Sequence, residues 1–468
     1  MVRFRFGMLS AVAVTAFAPL ALSPALAQRA QAAPPPPVQS RPTPTPSPVP
    51  TITPEFLDSS APSGPASEAP PAVPLPIPEP VMAWPLGDAQ ALLGVIETID
   101  GEGLVPADYK PADLRRAIAN GPGPALDDTA SRAFSWLAED LRDGRTPMDA
   151  RIQWFAVDPD QEAAPTMGLM AKALDTHDVA GVLAALAPIH LDYQALKAAL
   201  GATPKSDLRS RALIRANMDR WRWLSRDLGT LYLIANVPEF ELRLMVRDRI
   251  IRHYRTVVGK PGRTATPQLA ERVEAVVFNP TWTVPQSIVR GEGLGARLLA
   301  SPASARAQGY KVSRAADGTV TVVQQPGASN ALGLMKIDMP NPHAIYLHDT
   351  PSKQYFSAAV RAYSHGCIRT ERAVELGMTM GILGAGLTQE QAAQNSNSGK
   401  YMRVPMTRTF PVYISYFTMG RDLNGNLTKF GDIYGRDKAV LDSFAQPRQA
   451  KTTQRTSDEP VIQLDNPL

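Results

Sequence analysis

The chain has 468 residues, 44% of them hydrophobic, which is enough for two to four domains with substantial cores once low-complexity segments are set aside. Its net charge of +4, about +2 without Arg3 and Arg5, is too small to argue for a nucleic-acid surface. One cysteine, Cys367, excludes an internal disulfide, and neither an internal repeat nor a cofactor fingerprint is present.

Residues 1–27 read as a secretory signal: Arg3 and Arg5, an apolar run from Met8 to Leu22, and Ala25-Leu26-Ala27 as a cleavage site. Pro19 interrupts the run, which disfavours the alternative of an uncleaved inner-membrane anchor. The expected location is therefore the periplasm. Residues 28–82 hold about 18 of the 45 prolines and few large apolar side chains, so this stretch is expected to be a disordered, extended linker.

From 83 to 205 the apolar spacing is helical. Ala89, Leu92, Leu93, Ile96 and Ile99 follow Asp88, and Ala133, Phe134, Leu137 and Leu141 share a face before Gly144. Val179–Leu186 and Tyr193–Leu200 read as two further helices, with His177 and His190 as structural or surface groups. A connecting helix is expected over 206–229, ending at Gly229, with Leu213, Asn217, Trp221, Leu224 and Leu228 on one stripe and a solvated face of Arg209, Arg215, Arg220, Arg222 and Arg226.

After Gly229 the period becomes strand-like. Thr230–Val237, Glu239–Val246 and Ile250–Val258 are rich in β-branched and aromatic residues, with a hairpin turn at Arg247-Asp248-Arg249. Val273–Phe278, Thr319–Val323, Gly333–Ile337 and Ala344–Leu347 continue the pattern in a mostly β domain over 230–444. The stretch 287–327 lacks strong periodicity until its end and is expected to be a capping insertion. The polar residues 445–468 read as a disordered tail. The fold class is thus α+β.

Cys367 lies in Tyr363-Ser364-His365-Gly366-Cys367-Ile368-Arg369. A lone thiol outside the cytosol is an oxidation liability unless it does chemistry. A helix expected from Thr370 would place Cys367 just ahead of its N-terminus, where dipole and free N–H groups lower a thiol pKa. Two histidines are eligible as its base. His365, two residues away across a turn at Gly366, tends to diverge from the thiol, whereas His348 at a strand end approaches freely and is assigned the role, its tautomer set by an acceptor such as the Asp349 carbonyl. The N–H groups of Gly366 and Cys367 form a candidate oxyanion hole, and Arg369 is placed for a substrate carboxylate. His343, His348, His365 and Cys367 could in principle form a zinc set, but His-x-Cys is shorter than common zinc knuckles, so no metal is expected.

These motifs, Ser364-His365-Gly366-Cys367-Ile368-Arg369 with His348 upstream, resemble the L,D-transpeptidases with a YkuD-type catalytic domain. Trp221–Leu224, Asn279–Pro285, Asn330–Gly333, Ile345–Pro351 and Asp432–Asp437 resemble its large YcbB-like periplasmic branch. The resemblance implies a mostly β catalytic domain, a helical scaffold domain and a capping segment. It implies a cysteine thioester formed from a tetrapeptide stem and resolved by a second stem to give a 3-3 cross-link, without a cofactor. Carbapenems would acylate Cys367, and Tyr346, Ser364 and Arg369 match substrate-lining positions. Other wall-synthesis proteins are possible partners. Hydrolysis of the same thioester by an L,D-carboxypeptidase, or a non-catalytic wall-binding scaffold, are the alternatives. Members of this branch often carry a peptidoglycan-binding module between scaffold and catalytic domains; here Leu200 runs almost directly into Ser206, leaving no room for one.

Overall fold

A computed structural model describes residues 79–156, 160–291 and 293–450. The expected signal, nearly all of the linker and residues 451–468 of the tail lie outside the described residues.

The first part is helical. Leu86–Thr98, Pro111–Ala119, Pro124–Asp143, Thr166–Asp175 and Val179–Ala184 enclose a core that includes Leu92, Ile96, Phe134, Leu137 and Leu183. Pro124 begins the longest of these helices, where its missing N–H costs nothing. Gly144 ends it at φ 86°, and a Cβ there would lie 2.6 Å from the Trp223 ring, so only glycine allows the close approach. Residues 79–82, expected as linker, are docked on this helix instead. Glu79 pairs with Arg132 at 3.2 Å, and the Met82 N–H donates to Ser131 Oγ at 3.0 Å.

Leu191–Ala202 and Leu208–Trp221 lead to the second part, joined by a short connection with no intervening module. The connecting helix stops at Trp221, short of the expected Gly229. Asp219 causes the break. Its buried carboxylate accepts from the N–H groups of Arg145 (2.7 Å) and Thr146 (3.0 Å) and from Trp223 Nε1 (3.1 Å), which pulls the chain out of the helix. The expected solvated basic face is corrected at two of its five arginines, while Arg209 is exposed. Arg222 is fully buried, donating to Tyr193 Oη (2.6 Å) and the Glu102 carbonyl (2.5 Å), and Arg220 is buried against Asp437 at 2.6 Å.

The β part is built on an eleven-stranded sheet. In order, its strands are Met402–Pro405, Ala275–Phe278, Met335–Asp338, Leu347–His348, Ile368–Thr370, Arg249–Gly259, Glu241–Val246, Leu231–Asn236, Pro411–Ser415 and Leu269–Arg272, with Ala362–Ser364 also pairing Arg249–Gly259. The hairpin expected at Arg247–Arg249 is present, with Arg247 and Asp248 both at positive φ as a tight two-residue turn requires. Alternation explains why these strands read as continuous apolar runs. Leu231, Leu233 and Ala235 point into the sheet's own core, while Tyr232 and Ile234 pack with Trp221, Leu224 and Leu228 beneath the helical part.

Residues 287–327, expected as a capping insertion, belong to a region with regular structure and a small core of its own. Short helices Gln286–Gly291, Leu294–Ala300 and Pro302–Ala307 pack on a three-stranded sheet of Trp282–Thr283, Val320–Gln324 and Tyr310–Arg314, around Val284, Val289, Leu298 and Val322. The start of the expected disordered tail is ordered too. Beyond Asp437–Ala445, Arg448 is buried against Asp140 at 2.9 Å and Glu139 at 2.8 Å.

Arg222→Ala leaves Asp219 without its nearest cation and empties a buried guanidinium site. The expected loss is about 3–5 kcal/mol of unfolding free energy, read from urea denaturation; a loss within about 0.5 kcal/mol would place Arg222 among ordinary surface substitutions.

Candidate active site

Sheet register decides which side chains meet. Leu347 pairs with Ile368 and His348 with Arg369 in a parallel ladder, and Lys336 pairs with His348 from the other side. Leu347, Ile368 and Ile337 are buried in the sheet core. Strand alternation therefore places His348, Arg369 and Lys336 on the opposite face. Tyr346 and Cys367 lie one residue ahead of these two strands, and the Ile368 N–H donates to the Tyr346 carbonyl at 2.9 Å, so the pairing reaches back to them. Lys336 Nζ sits 3.8 Å from the centre of the Tyr346 ring, and the Arg369 guanidinium lies 5.9 Å over Tyr355. Among the described residues Arg369 has no ion pair, so its charge is not spent on a structural carboxylate.

The turn carrying the thiol is held by Ser364. Its hydroxyl donates to the Cys367 carbonyl (2.6 Å) and accepts from the Gly366 N–H (3.1 Å). Two expectations are corrected by this. Ser364 is buried and committed to the turn, so it does not line a substrate cleft, and the Gly366 N–H is not available as an oxyanion donor. Gly366 keeps its turn role, with φ at 122° and a neighbouring Ile345 Cδ1 that would meet a Cβ at 3.0 Å. The exposed His365 lies in the same turn. The helix after the motif begins at Ala373, beyond the strand Ile368–Thr370, and not at Thr370. Cys367 is therefore separated from the start of that helix by a strand.

That difference changes the electrostatics. The half-buried Cys367 thiol donates to the Ala344 carbonyl at 3.5 Å. Burial pushes its pKa up, against the opposing pull of the Tyr346 N–H, Lys336 and Arg369. The expected lowering by a helix dipole is overturned. His348 is buried, and burial, with Arg369 and Lys336 acting in the same sense, brings its pKa down to about 4. A carbonyl only accepts, so the 2.5 Å contact from Nδ1 to the Asp349 carbonyl makes Nδ1 the protonated nitrogen and leaves Nε2 with its lone pair. Asp349 is itself fixed by the Leu334 N–H at 2.9 Å and by Lys353. At neutral pH the resting thiol and imidazole are both uncharged.

Among the described residues no group of three or more His, Cys, Asp or Glu side chains is arranged to hold a metal ion. His343 packs against Phe155, ring centres 4.1 Å apart, in a segment contributed from the helical side. Sequence reasoning misses Lys336, which strand pairing sets beside His348, Tyr355, which lies under the Arg369 guanidinium, and Phe155, which packs on His343. Alternation of Met335–Asp338 against its neighbours carries the one usable signal, for Lys336.

Comparison with known proteins follows the same division. Residues 230–377 match the YkuD family, described as an L,D-transpeptidase catalytic domain, and residues 83–200 match the Scaffold domain family. A Haemophilus influenzae protein described as "Putative L,D-transpeptidase" is 29% identical over 223 residues, which is 44% of this chain and 45% of that protein. The match thus spans less than half the length of that relative. Solved structures resembling the chain include an L,D-transpeptidase from Mycobacterium smegmatis (14% identity, 40% of this chain and 59% of that one, TM-score 0.20). A cysteine-to-serine mutant of Enterococcus faecium L,D-transpeptidase is another (14%, 45% and 65%, TM-score 0.21), as is LdtMt1 in complex with imipenem (14%, 40% and 58%, TM-score 0.19).

Because the raised thiol pKa leaves Cys367 protonated at neutral pH, its alkylation by iodoacetamide is expected to accelerate with pH to a midpoint above that of a free thiol, about 8.5. A midpoint below about 7 would instead demonstrate a preformed thiolate–imidazolium pair.

Proposed function

We propose that this chain, which belongs through residues 230–377 to the family of YkuD-type L,D-transpeptidase catalytic domains, is a periplasmic enzyme that forms 3-3 cross-links between peptidoglycan stem peptides. The observation that carries the reading is the parallel pairing of the His348 strand with the strand that directly follows Cys367, with the imidazole's Nε2 left as the basic nitrogen. The accompanying Scaffold match at 83–200 supports the large, YcbB-like branch. Export rests on the sequence of residues 1–27.

The chemistry follows from these groups. A donor stem displaces the thiol from the Ala344 carbonyl, and His348 Nε2 takes the proton as Cys367 Sγ attacks the carbonyl at the L-centre of the diacid residue. The tetrahedral oxyanion is met by the N–H group of Cys367. Collapse expels terminal D-Ala, whose amine takes the proton back from His348, and leaves the thioester. The side-chain amine of a second stem then attacks, giving its proton to His348, and the released thiolate is reprotonated. Lys336 and Arg369 supply positive charge on this face for stem carboxylates. No cofactor is needed at any step. A carbapenem offers a strained acyl carbonyl to the same sulfur and is proposed to acylate it.

An intact thiol together with a histidine whose Nε2 is left as the basic nitrogen argues against a non-catalytic scaffold. Choice of acceptor separates cross-linking from hydrolysis. Incubated with defined tetrapeptide muropeptides, the enzyme is expected to give dimers linked 3-3 by mass spectrometry, and Cys367→Ala to give none while keeping its Tm within about 2 °C. Tripeptides without dimers would make it an L,D-carboxypeptidase, and undiminished turnover by Cys367→Ala would remove the nucleophile assignment.

A further inference from the structure

The peptide group between Gly366 and Cys367 has two ends. One is the Gly366 carbonyl, and the other is the Cys367 N–H assigned above to the oxyanion. A trans peptide is planar, so fixing the carbonyl fixes the direction of the N–H. Ser364 holds the peptide groups on either side of this one, through the Gly366 N–H and the Cys367 carbonyl, but not this one. The Gly366 carbonyl is held from 100 residues away in sequence by Thr266, whose hydroxyl donates to it at 2.8 Å. The same hydroxyl accepts from the Gly259 N–H at 2.9 Å, so its one proton is committed to Gly366.

Thr266 is fully buried and is itself pinned. Arg436 donates to its carbonyl at 3.1 Å, and the Thr266 N–H donates to Tyr434 Oη at 3.2 Å. The Arg436 guanidinium lies beside the stacked Tyr416 and Tyr434 rings, 4.8 and 4.9 Å from their centres, and its Nη2 also donates to Gln153 Oε1. Gln153 belongs to the segment that leaves the helical part. Its backbone carbonyl accepts from the Gln268 N–H at 2.9 Å, two residues beyond Thr266. The chain of contacts is continuous from the helical part to the nucleophile's own peptide plane.

We propose that Thr266 is a positioning residue for the acyl-transfer reaction, aiming the Cys367 N–H at the developing oxyanion, and that Arg436 and Gln153 carry this alignment from the helical part. The inference rests on the acyl-transfer reading above. It accounts for a fully buried threonine with both hydroxyl functions used at the nucleophile turn, which packing alone does not require.

Two reactions of the same sulfur separate aim from reactivity. Acylation by imipenem passes through a tetrahedral oxyanion, whereas displacement on iodoacetamide does not. Thr266→Val keeps the shape and removes the hydroxyl. Its imipenem acylation is expected to slow by at least about tenfold, with iodoacetamide alkylation changed by no more than about twofold, and Thr266→Ser is expected to restore acylation to within about threefold of wild type. Gln153→Ala, at the far end of the contacts, carries the test whether or not the valine variant folds, and is expected to lower the acylation-to-alkylation ratio by about threefold or more. A ratio unchanged in both variants, or equal losses in both reactions, would overturn the proposal. Wild-type protein that alkylates but is never acylated by imipenem would instead defeat the acyl-transfer reading and this inference with it.

Discussion

Two residues of parallel pairing, Leu347 with Ile368 and His348 with Arg369, set everything else in the site. They join the end of one strand to the start of another across a loop that includes Lys353–Ser357 and Ala362–Ser364. Because Leu347 and Ile368 are locked into the core, their neighbours have no choice of face. A one-residue slip would turn His348 and Arg369 toward the sheet core and carry Leu347 and Ile368 to the opposite face. The apolar core therefore does more than stabilise the domain: it specifies which residues can reach the thiol.

Burial and charge act against each other at this face. Lys336 and Arg369 favour a thiolate and disfavour an imidazolium, while desolvation raises the thiol and lowers the imidazole. For His348 both influences point the same way, and the result is a neutral base. For Cys367 they oppose, and burial prevails. A neutral pair keeps the thiol protonated between turnovers, and the cations become useful when an anionic substrate or an oxyanion arrives. Neutral thiols are also poorer targets for oxidation than thiolates.

The nucleophile motif, the two-residue hairpin at Arg247–Arg249 and the central strands are legible in the sequence because each depends on local chemistry or on alternation. What is not legible depends on partners far away along the chain. Asp219 ends its helix by accepting from Arg145, Thr146 and Trp223, two of which lie over 70 residues upstream, and no local pattern around Trp221 announces it. Arg220 and Arg222 resemble a wet face because basic residues usually form one, yet tertiary acceptors draw both inside. In 287–327 the helices are too short to establish a period, so the elements of this insertion do not show in the sequence. At the site, Ser364 and Gly366 suggest chemistry when their polar groups are consumed in shaping the turn. The expected helix dipole fails for a similar reason, since Ile368–Thr370 is recruited as a strand by Leu347–His348 and Arg249–Gly259 before any helix can begin.

The proposed reaction turns on a covalent acyl group carried by Cys367. Its most direct test is to mix the protein with a tetrapeptide stem in the absence of any acceptor, quench in acid within the first turnover, and map the adduct by peptide mass spectrometry. The expected result is a donor stem lacking its terminal D-Ala, bound to the peptide containing Cys367 and released by hydroxylamine as a thioester. Turnover of the stem with no adduct on that peptide, or with the adduct on another residue, would contradict it.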